Sequence, residues 1–367
     1  MASTEVLGHP PGEVLVMGAG TIGCFIGGSL AAAGVPVTFV GRPRVLRGLA
    51  EHGLTLSDLE GGTHRLPAAG LRLSEQVPAG ATPALVLLCV KSGATAEAAA
   101  ELAFALPAGT TVVSFQNGIS NCAAASQAGP TLGVLPGMVP YNVAEIGPGA
   151  FHRGTAGRLA AKDDTALRPW QPVFERAGVP LDLYADLLPV QWGKLLLNLN
   201  NPVNALSGLP LREELLQRGY RRCFAALIDE ALGVLGRAGI APAQVAAVPA
   251  QRLSAVLRLP DWLFRIVAAR MLCIDAKARS SMADDLALGR RTEIDALSGE
   301  VVRLAQDHDL DAPRNARMFA LLEDWPRQPR RLDGTAIARR TRPVARNLVP
   351  SGPVSRAAFK GLFSCRF

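Results

Sequence analysis

The fold is decided by residues 14–23, which read Val14-Leu15-Val16-Met17-Gly18-Ala19-Gly20-Thr21-Ile22-Gly23. Four apolar residues predict a buried parallel strand, and apolar residues at helical spacing follow the glycines. The glycine spacing G-x-G-x-x-G is typical of a strand-to-helix turn that holds a dinucleotide. Gly18 would permit the tight turn, Gly20 would leave room for a pyrophosphate, and Gly23 would let helix and strand pack closely.

A glycine-rich turn can also serve packing alone, but the strand before it and the helix after it favour nucleotide binding. The helix N-terminus would face the phosphates with its unpaired N–H groups and partial positive charge. We therefore predict cofactor contacts from Gly18, Ala19, Gly20, Thr21, Ile22 and Gly23.

The end of the second predicted strand, residues 36–40, indicates which dinucleotide is bound. An NAD site usually carries Asp or Glu there, to bind the ribose 2′-hydroxyl. This chain has Arg42 and Arg44 instead, and a guanidinium group pairs well with the 2′-phosphate of NADPH. The alternative is that both are solvated loop charges, which fits Arg44 better than Arg42.

The composition predicts a soluble globular enzyme of two domains, since 367 residues contain 49% hydrophobic and 19% charged residues. Much of the net charge of +7 falls after residue 326, where arginines alternate with Pro and Gly. That pattern predicts a flexible extension with affinity for acidic surfaces. It does not read as a nucleic-acid domain, because no aromatic-basic platform accompanies it.

The cysteines and histidines give no sign of a disulfide framework or a metal site. The six cysteines are far apart, without a C-x-x-C pair, and the five histidines share no ligand spacing. No N-terminal secretory segment and no apolar run of about 20 residues is present. We therefore expect a cytoplasmic protein with reduced thiols and no bound metal.

The pattern of elements changes near residue 185, from alternating strands and helices to helices only. A hairpin is expected from residues 54–56 and 63–66, and further strands over 84–90, 111–115, 132–141, 157–161 and 181–184. Helices are predicted over 187–206, 212–238, 242–257, 261–272, 276–288 and 293–308. We predict an α/β fold with a lead-in (1–12), an N-terminal Rossmann-type, doubly wound NADP-binding domain (13–185), an all-α C-terminal substrate domain (186–328) and a basic extension (329–367).

Two polar residues follow strands of the predicted sheet, where ligands of such sheets bind. Lys91 ends the apolar run 84–90, and Asn117 follows the strand 111–115. Both should point towards the crevice of the glycine turn, although Asn117-Gly118 is also a common turn pair.

Lys194, Asn198 and Asn201 are spaced by four and then three residues among leucines, so they share one helical face. A lysine and two amides on an apolar helix require partners or a ligand. Pro202 should kink or end the helix there. The alternative is a solvated polar face.

Farther along, Gly289 should end a helix, and Thr292 with Asp295 resembles the start of the next one. Glu293 would then lie in the first helical turn, where the helix dipole favours its ionised form. We expect this carboxylate to hold the Lys194 ammonium in place. Its alternative role is that of an ordinary helix-start carboxylate.

These motifs together resemble the ketopantoate reductase family over roughly residues 13–325. The resemblance is carried by G-A-G-T-I-G, Val90-Lys91, Gln116-Asn117-Gly118, Trp192-Gly193-Lys194 with Asn198, Ser281-Met282 through Asp285, and Thr292-Glu293-Ile294-Asp295. It implies NADPH-dependent reduction of the C2 ketone of ketopantoate (2-dehydropantoate) to pantoate, a step towards coenzyme A.

The resemblance also implies roles for the polar residues. Lys194 would be the general acid and Glu293 would orient Lys194 or a substrate hydroxyl, while Lys91 and Asn117 would lie near nicotinamide and ribose. The substrate would meet Asn117, Asn198, Asn201, Ser281 and Asp285. In the family the second amide lies eight residues after the lysine, whereas Asn201 lies seven after Lys194, which leaves Asn200 and Asn204 as alternatives.

Two other functions are compatible with the sequence. One is an NADPH-dependent reductase of a different 2-oxo acid or an imine, and the other is a non-catalytic NADPH-binding regulator. A small-molecule substrate, with no nucleic-acid or membrane partner, is expected of the enzyme. A homodimer is compatible with the resemblance but is not determined by the sequence.

Overall fold

The structure, a computed structural model, describes residues 10–245, 248–272, 278–327 and 329–343. Its strands are β1 (Val14–Met17), β2 (Val37–Val40), β3 (Leu54–Asp58), β4 (Thr63–Leu66), β5 (Arg72–Ser74), β6 (Leu85–Leu88), β7 (Thr111–Ser114), β8 (Gly133–Met138), β9 (Val143–Gly147), β10 (Ala150–Arg153), β11 (Leu159–Lys162) and β12 (Leu181–Tyr184). Its helices are α1 (Thr21–Ala32), α2 (Pro43–His52), α3 (Thr95–Ala105), α4 (Asn121–Ala128), α5 (Gln171–Arg176), α6 (Leu188–Asn198), α7 (Asn200–Ser207), α8 (Leu211–Leu215), α9 (Arg218–Arg237), α10 (Ala250–Leu257), α11 (Asp261–Val267), α12 (Ser281–Ala287), α13 (Glu300–Asp307), α14 (Pro313–Glu323) and α15 (Gly334–Thr341).

The main sheet has eight strands in the order β12-β11-β8-β7-β6-β1-β2-β5, and β1 runs parallel to both neighbours, β2 and β6. Only the β8–β11 pair is antiparallel in this sheet. Alternate residues of β1 enter different cores: Val14 and Val16 pack with α1, and Leu15 and Met17 pack with α3. Both faces are therefore covered by helices, which confirms the doubly wound α/β prediction.

A second sheet of four strands, in the order β4-β3-β10-β9, covers the outer side of α1. It contains the predicted hairpin, in which Leu54 pairs with Leu66 across antiparallel strands. Strands β9 and β10 were not predicted, because β9 is largely exposed and has no continuous apolar run.

The chain beyond β12 is helical in its described part, and its helices form a separate apolar core. The predicted helix 187–206 is divided at Leu199 into α6 and α7. This break relieves Pro202, which has no N–H to donate to the carbonyl of Asn198. The predicted helix 242–257 is shorter and begins only at Ala250, after Pro249.

The prediction of a flexible extension over residues 329–367 differs from the structure in its described part. Helix α15 packs on α9, and Ile337 is fully buried. The Tyr220 hydroxyl donates to the Leu332 carbonyl at 3.2 Å. The sequence pattern was misleading because the arginines of α15 occupy one face and its few apolar residues the other. Residues 344–367 and the lead-in 1–9 lie outside the described residues.

Candidate active site

The glycine turn joins β1 to α1 as the sequence predicts. Gly18 has a φ of +108°, and a Cβ there would lie 2.6 Å from the backbone nitrogen of Val90. A Cβ on Gly23 would overlap the Gly18 carbonyl oxygen. Gly20 differs, because a Cβ there would meet nothing within 4 Å. The turn therefore needs Gly18 and Gly23 for its own packing, whereas the space at Gly20 is open.

Open space at Gly20 adjoins the start of α1, which has no side-chain cap. The end of β2 lies beside this turn, since a Cβ on Gly41 would be 2.6 Å from the Ala19 Cβ. Arg42 follows and precedes α2 directly, with Arg44 in the first turn of that helix; both are exposed. The arrangement can accommodate a dinucleotide whose phosphates face the α1 N-terminus.

A narrow cleft lies between the ends of the sheet strands and α6. It brings together Asn117, which follows β7, with Lys194 and Asn198 of α6, so residues from two separate elements meet there. The other lining residues are Gln116, Gly118, Gly137, Met138, Val139, Gln191 and Leu195. Asn201, Ser281 and Asp285 do not line it.

Lys194 is the cationic group of this cleft. Its Nζ donates a hydrogen bond to the Pro140 carbonyl at 2.9 Å. Burial lowers the pKa of Lys194 to about 8, because a neutral amine is easier to desolvate than an ammonium. Among the described residues no carboxylate lies within 4.0 Å of this nitrogen. The side chain can thus lose its proton near neutral pH.

Glu293 does not contact Lys194, so that expectation was wrong. One carboxylate oxygen accepts hydrogen bonds from the Ser92 backbone N–H and hydroxyl, both at 3.0 Å. The other accepts from the Asn117 side-chain amide at 3.2 Å. Ser92 begins a short 3₁₀ turn before α3, where a free N–H attracts a carboxylate.

The position of Glu293 relative to the next helix also differs from the prediction. The helix begins with a π turn at Asp295–Gly299, so Glu293 precedes it. Thr292 is not its cap, and the Asp295 carboxylate pairs with Arg303 at 2.7 Å. The cap-like spacing of Thr292 and Asp295 was therefore misleading.

Asn117 connects the two halves of the molecule. Its side-chain oxygen accepts from the Asn198 amide at 3.2 Å, while its own amide donates to Glu293. Its backbone carbonyl accepts from the Asn121 side chain. These bonds produce a continuous chain of polar groups from Glu293 to α6, beside Lys194.

Lys91 and Asp285 form a second contact between the halves. The Lys91 Nζ binds the Asp285 carboxylate, and the lysine side chain is 44% exposed while the aspartate is 6% exposed. Burial raises the pKa of Asp285, and the neighbouring lysine opposes that shift. Ser281, one turn earlier in α12, is exposed, and Ser280 rather than Ser281 caps the helix by accepting from the Ala283 N–H.

The three asparagines after Asn198 have different surroundings. Asn200 and Asn204 are buried and donate to the Glu214 carboxylate, at 3.2 and 2.9 Å. Burial raises the pKa of Glu214 to about 8. Asn201 is half-buried, and its carbonyl accepts from the Ser280 hydroxyl at 3.3 Å. The side chains of Asn200 and Asn204 thus bind Glu214. Of the three, Asn201 is the one whose side chain makes no hydrogen bond to the described residues.

Two neighbours of the site, Pro140 and Ser92, were not predicted. A backbone carbonyl such as that of Pro140 has no sequence signal, whereas Ser92 directly follows Lys91 and could have been included. In the described ranges no three His, Cys, Asp or Glu side chains are placed to hold a metal ion. A search of the same residues finds no helix with the length and apolar character to cross a membrane.

Comparison with known proteins identifies the family. The family model described as ketopantoate reductase PanE/ApbA matches residues 14–163, and its C-terminal counterpart matches residues 186–325. The 2-dehydropantoate 2-reductase of Halobacterium salinarum is 31% identical over 316 residues, which are 82% of this chain and 94% of that protein. The chain belongs to the ketopantoate reductase family.

Solved structures agree with this membership. The PanE/ApbA family ketopantoate reductase from Ralstonia eutropha JMP134 superposes with a TM-score of 0.71 at 28% identity, covering 85% of this chain and 97% of that one. A D-mandelate dehydrogenase solved with NADH and anilino(oxo)acetate gives a TM-score of 0.70 at 18% identity, over 85% and 97% of the chains, and shares the fold. The chain is thus an oxidoreductase of a pyridine-nucleotide-dependent family.

Proposed function

We propose that this ketopantoate reductase family member reduces the C2 ketone of ketopantoate to pantoate with NADPH, and that Lys194 is the general acid. One observation carries the proposal: a buried amine with a pKa of about 8 lies in the cleft beside Asn117 and Asn198. A group that titrates near working pH can both hold and release a proton during the reaction.

The residues present fit a nicotinamide dinucleotide. The open space at Gly20 and the uncapped start of α1 suit a pyrophosphate, and Arg42 suits a 2′-phosphate. When bound, the reduced nicotinamide supplies the hydride for the ketone carbon. The protein's own task is then to receive the negative charge that grows on the ketone oxygen.

Lys194 can perform that task in two ways. Its ammonium stabilises the developing oxyanion, and it then donates a proton from Nζ to complete the hydroxyl. In the structure Nζ is held by the Pro140 carbonyl, a neutral acceptor that leaves the other N–H bonds available. Asn117 and Asn198 would orient the substrate beside this amine, with Asn201, Ser281 and Asp285 as further substrate contacts.

The proposed role of Glu293 is changed by its position. Glu293 accepts hydrogen bonds from Asn117 and Ser92. We therefore propose that it orients Asn117 and the strand end near nicotinamide, and that it does not orient Lys194. Lys91, on the same strand end, would contact the nicotinamide half of the cofactor.

Turnover with a panel of 2-oxo acids tests the function. The purified chain is given NADPH and ketopantoate, 2-oxo acids without the hydroxymethyl group, and an arylglyoxylate, and NADPH absorbance is followed. We expect the highest kcat/KM with ketopantoate. If another acid is reduced fast and ketopantoate negligibly, the substrate proposal is wrong, and the same mechanism applies to that other acid.

That alternative substrate class has a specific observation in its favour. Asn201 lies seven residues after Lys194, and the two nearby asparagines face Glu214, so the substrate side of α7 is not that of the family pattern. The non-catalytic alternative predicts NADPH binding without turnover of any acid in the panel.

Cofactor preference is tested separately with Arg42→Ala. We expect KM for NADPH to rise on the order of 10-fold or more, because one charge-assisted contact to the 2′-phosphate is lost, and KM for NADH to remain within about twofold. Arg47→Ala, which removes an exposed arginine of the following helix α2, is the control. An equal rise for both cofactors would contradict a 2′-phosphate role.

Two expectations from the sequence remain predictions, namely the cytoplasmic location and the homodimer. Sedimentation of the purified chain tests the oligomeric state, and fractionation of cells tests the location.

A further inference from the structure

Glu300, the first residue of α13, reaches from the helical half to the sheet half. Its carboxylate accepts hydrogen bonds from the Ile119 N–H at 3.1 Å, the Ser120 N–H at 2.9 Å and the Ser120 hydroxyl at 2.6 Å. These donors lie at the start of α4, where N–H groups have no partner within the helix. Glu300 is only 5% exposed, so the interaction is shielded from water and strong for its kind.

The preceding π turn places this carboxylate. The Gly299 N–H donates to the Ile294 carbonyl, five residues back, at 3.2 Å, and such wide turns shift the direction of the next side chain. Arg303, one turn later on α13, forms an ion pair at 3.4 Å with the same carboxylate oxygen that accepts these hydrogen bonds. The carboxylate is therefore fixed between α13 and the start of α4.

The loop that Glu300 binds is pressed against the same turn. Gly118 has a φ of +92°, and a Cβ there would lie 2.9 Å from the Ala296 Cβ and 3.2 Å from the Glu300 carboxylate. Gly118 thus has both a backbone conformation and a close approach that only glycine accommodates well.

Asn117 adjoins this loop and is held from the opposite side through Gln116. The Gln116 side-chain amide donates to the Val90 carbonyl at 2.8 Å and to the Thr95 hydroxyl at 2.7 Å. The sheet therefore fixes one end of the segment 116–120, and Glu300 is the group from the helical half that fixes the other.

We propose that Glu300 is a positioning residue that acts through Asn117. It does not line the cleft; it holds the backbone from which Asn117 reaches Asn198 and Glu293. The assignment rests on the proposed reductase function. Its consequence is that docking of the helical half sets the position of a cleft amide beside the nicotinamide site.

Glu230 provides a matched control. It accepts from the Arg314 and Asn315 N–H groups, each at 2.8 Å, at the start of α14. The chemistry is the same as at Glu300, a carboxylate on one helix capping the start of another, but no residue of α14 lines the cleft. Its loss should lower the melting temperature without changing kcat/KM per folded molecule.

The experiment is a double-mutant cycle on the full chain. Glu300→Ala, Asn117→Ala, the double variant and Glu230→Ala are compared by kcat and KM for ketopantoate, by NADPH affinity and by Tm. We expect Glu300→Ala to lower kcat/KM on the order of 10- to 100-fold, as small misplacements of a site can do. In the Asn117→Ala background the same change should cost no more than about twofold. NADPH affinity should remain within about threefold, since the glycine turn is on another strand.

Several outcomes would overturn the assignment. They are equal losses in both backgrounds, an equal loss in Glu230→Ala, or a fall in Tm with kcat/KM unchanged. Should Glu300→Ala fail to fold, Glu300→Gln keeps the shape and loses the charge, and the cycle is run with it. If Glu300→Gln lowers kcat/KM by less than Glu300→Ala does, and this loss disappears in the Asn117→Ala background, the proposal is supported. A loss in kcat/KM that persists in that background contradicts it.

Failure of the reductase function is distinguishable. If the wild-type chain does not oxidise NADPH with any acid, the catalytic proposal fails, and amide hydrogen exchange of residues 116–121 decides the structural part. Faster exchange in Glu300→Ala, and not in Glu230→Ala, would retain Glu300 as the group that fixes this loop. Unchanged exchange would reject it.

Discussion

The two lysines of the site have contrasting surroundings. Lys91, which follows β6 and is not among the residues lining the cleft, is 44% exposed and contacts the Asp285 carboxylate. Lys194, which lines the cleft, donates to a neutral carbonyl, and burial lowers its pKa. The same side chain is therefore an ion-pair partner at one position and a desolvated amine at the other. The surroundings, more than the residue type, set the pKa of Lys194.

The difference arises because the two ammonium groups differ in their exposure to water and in their charged neighbours. An ammonium taken out of water without a counter-ion is destabilised, so the pKa of Lys194 falls to about 8. Lys91, in contrast, is in contact with solvent and with the Asp285 carboxylate. Three experiments can separate these two roles.

The largest effect is expected from Lys194→Met, which keeps the length of the side chain and removes the amine. We expect kcat/KM to fall on the order of 10²- to 10⁴-fold, the usual contribution of a general acid with charge stabilisation. NADPH affinity, measured by fluorescence, should change little. Lys162→Met, at the exposed end of β11, is the control. Activity within tenfold of wild type would remove Lys194 from the chemistry.

The second prediction concerns pH. The protonated amine is the form that donates, so the rate of reduction should be full below the Lys194 pKa of about 8 and fall about tenfold per pH unit above it. A pH profile of kcat/KM measures the midpoint. Asp285→Asn should leave that midpoint in place because Asp285 partners the other lysine. A flat profile to pH 10 would be incompatible with Lys194 as the acid.

The smallest effect is expected at the Lys91–Asp285 pair. Lys91→Ala and Asp285→Asn each remove the contact between the segment after β6 and α12, and we expect KM for the oxo acid to rise on the order of 10-fold with kcat within about threefold. The double variant should resemble either single one, because both remove the same pair. If Lys91→Ala instead lowers kcat as strongly as Lys194→Met, the distinction between the roles of the two lysines is wrong.

The sheet half was predictable because its determinants are local. A four-residue apolar run makes β1, and Gly23 of its turn is required by the nearby Gly18 carbonyl. The ends of parallel strands meet at one edge, so Lys91 and Asn117 could be placed near the glycine turn from sequence order alone.

The helical half was less predictable because its polar contacts are long-range. Glu293 is separated by 201 residues from Ser92, and no sequence pattern shows that a strand end will supply its donors. The π turn at Asp295–Gly299 is equally invisible to helical periodicity, yet it directly precedes Glu300. Lys194 was found because it interrupts a leucine-rich helix, whereas its acceptor, a backbone carbonyl, has no signature.

Helix α15 follows the last residue that the family model matches, 325, and it is still part of the folded unit. Gly334 lies so close to Gly219 that a Cβ on Gly334 would be 2.5 Å from the Tyr220 nitrogen, and Leu332 hydrogen-bonds Leu206 at 2.9 Å. A chain truncated after residue 325, where the family match ends, would expose the apolar side of α9 and would be prone to aggregate. Expression designs should place their stop codon or affinity tag beyond Thr341.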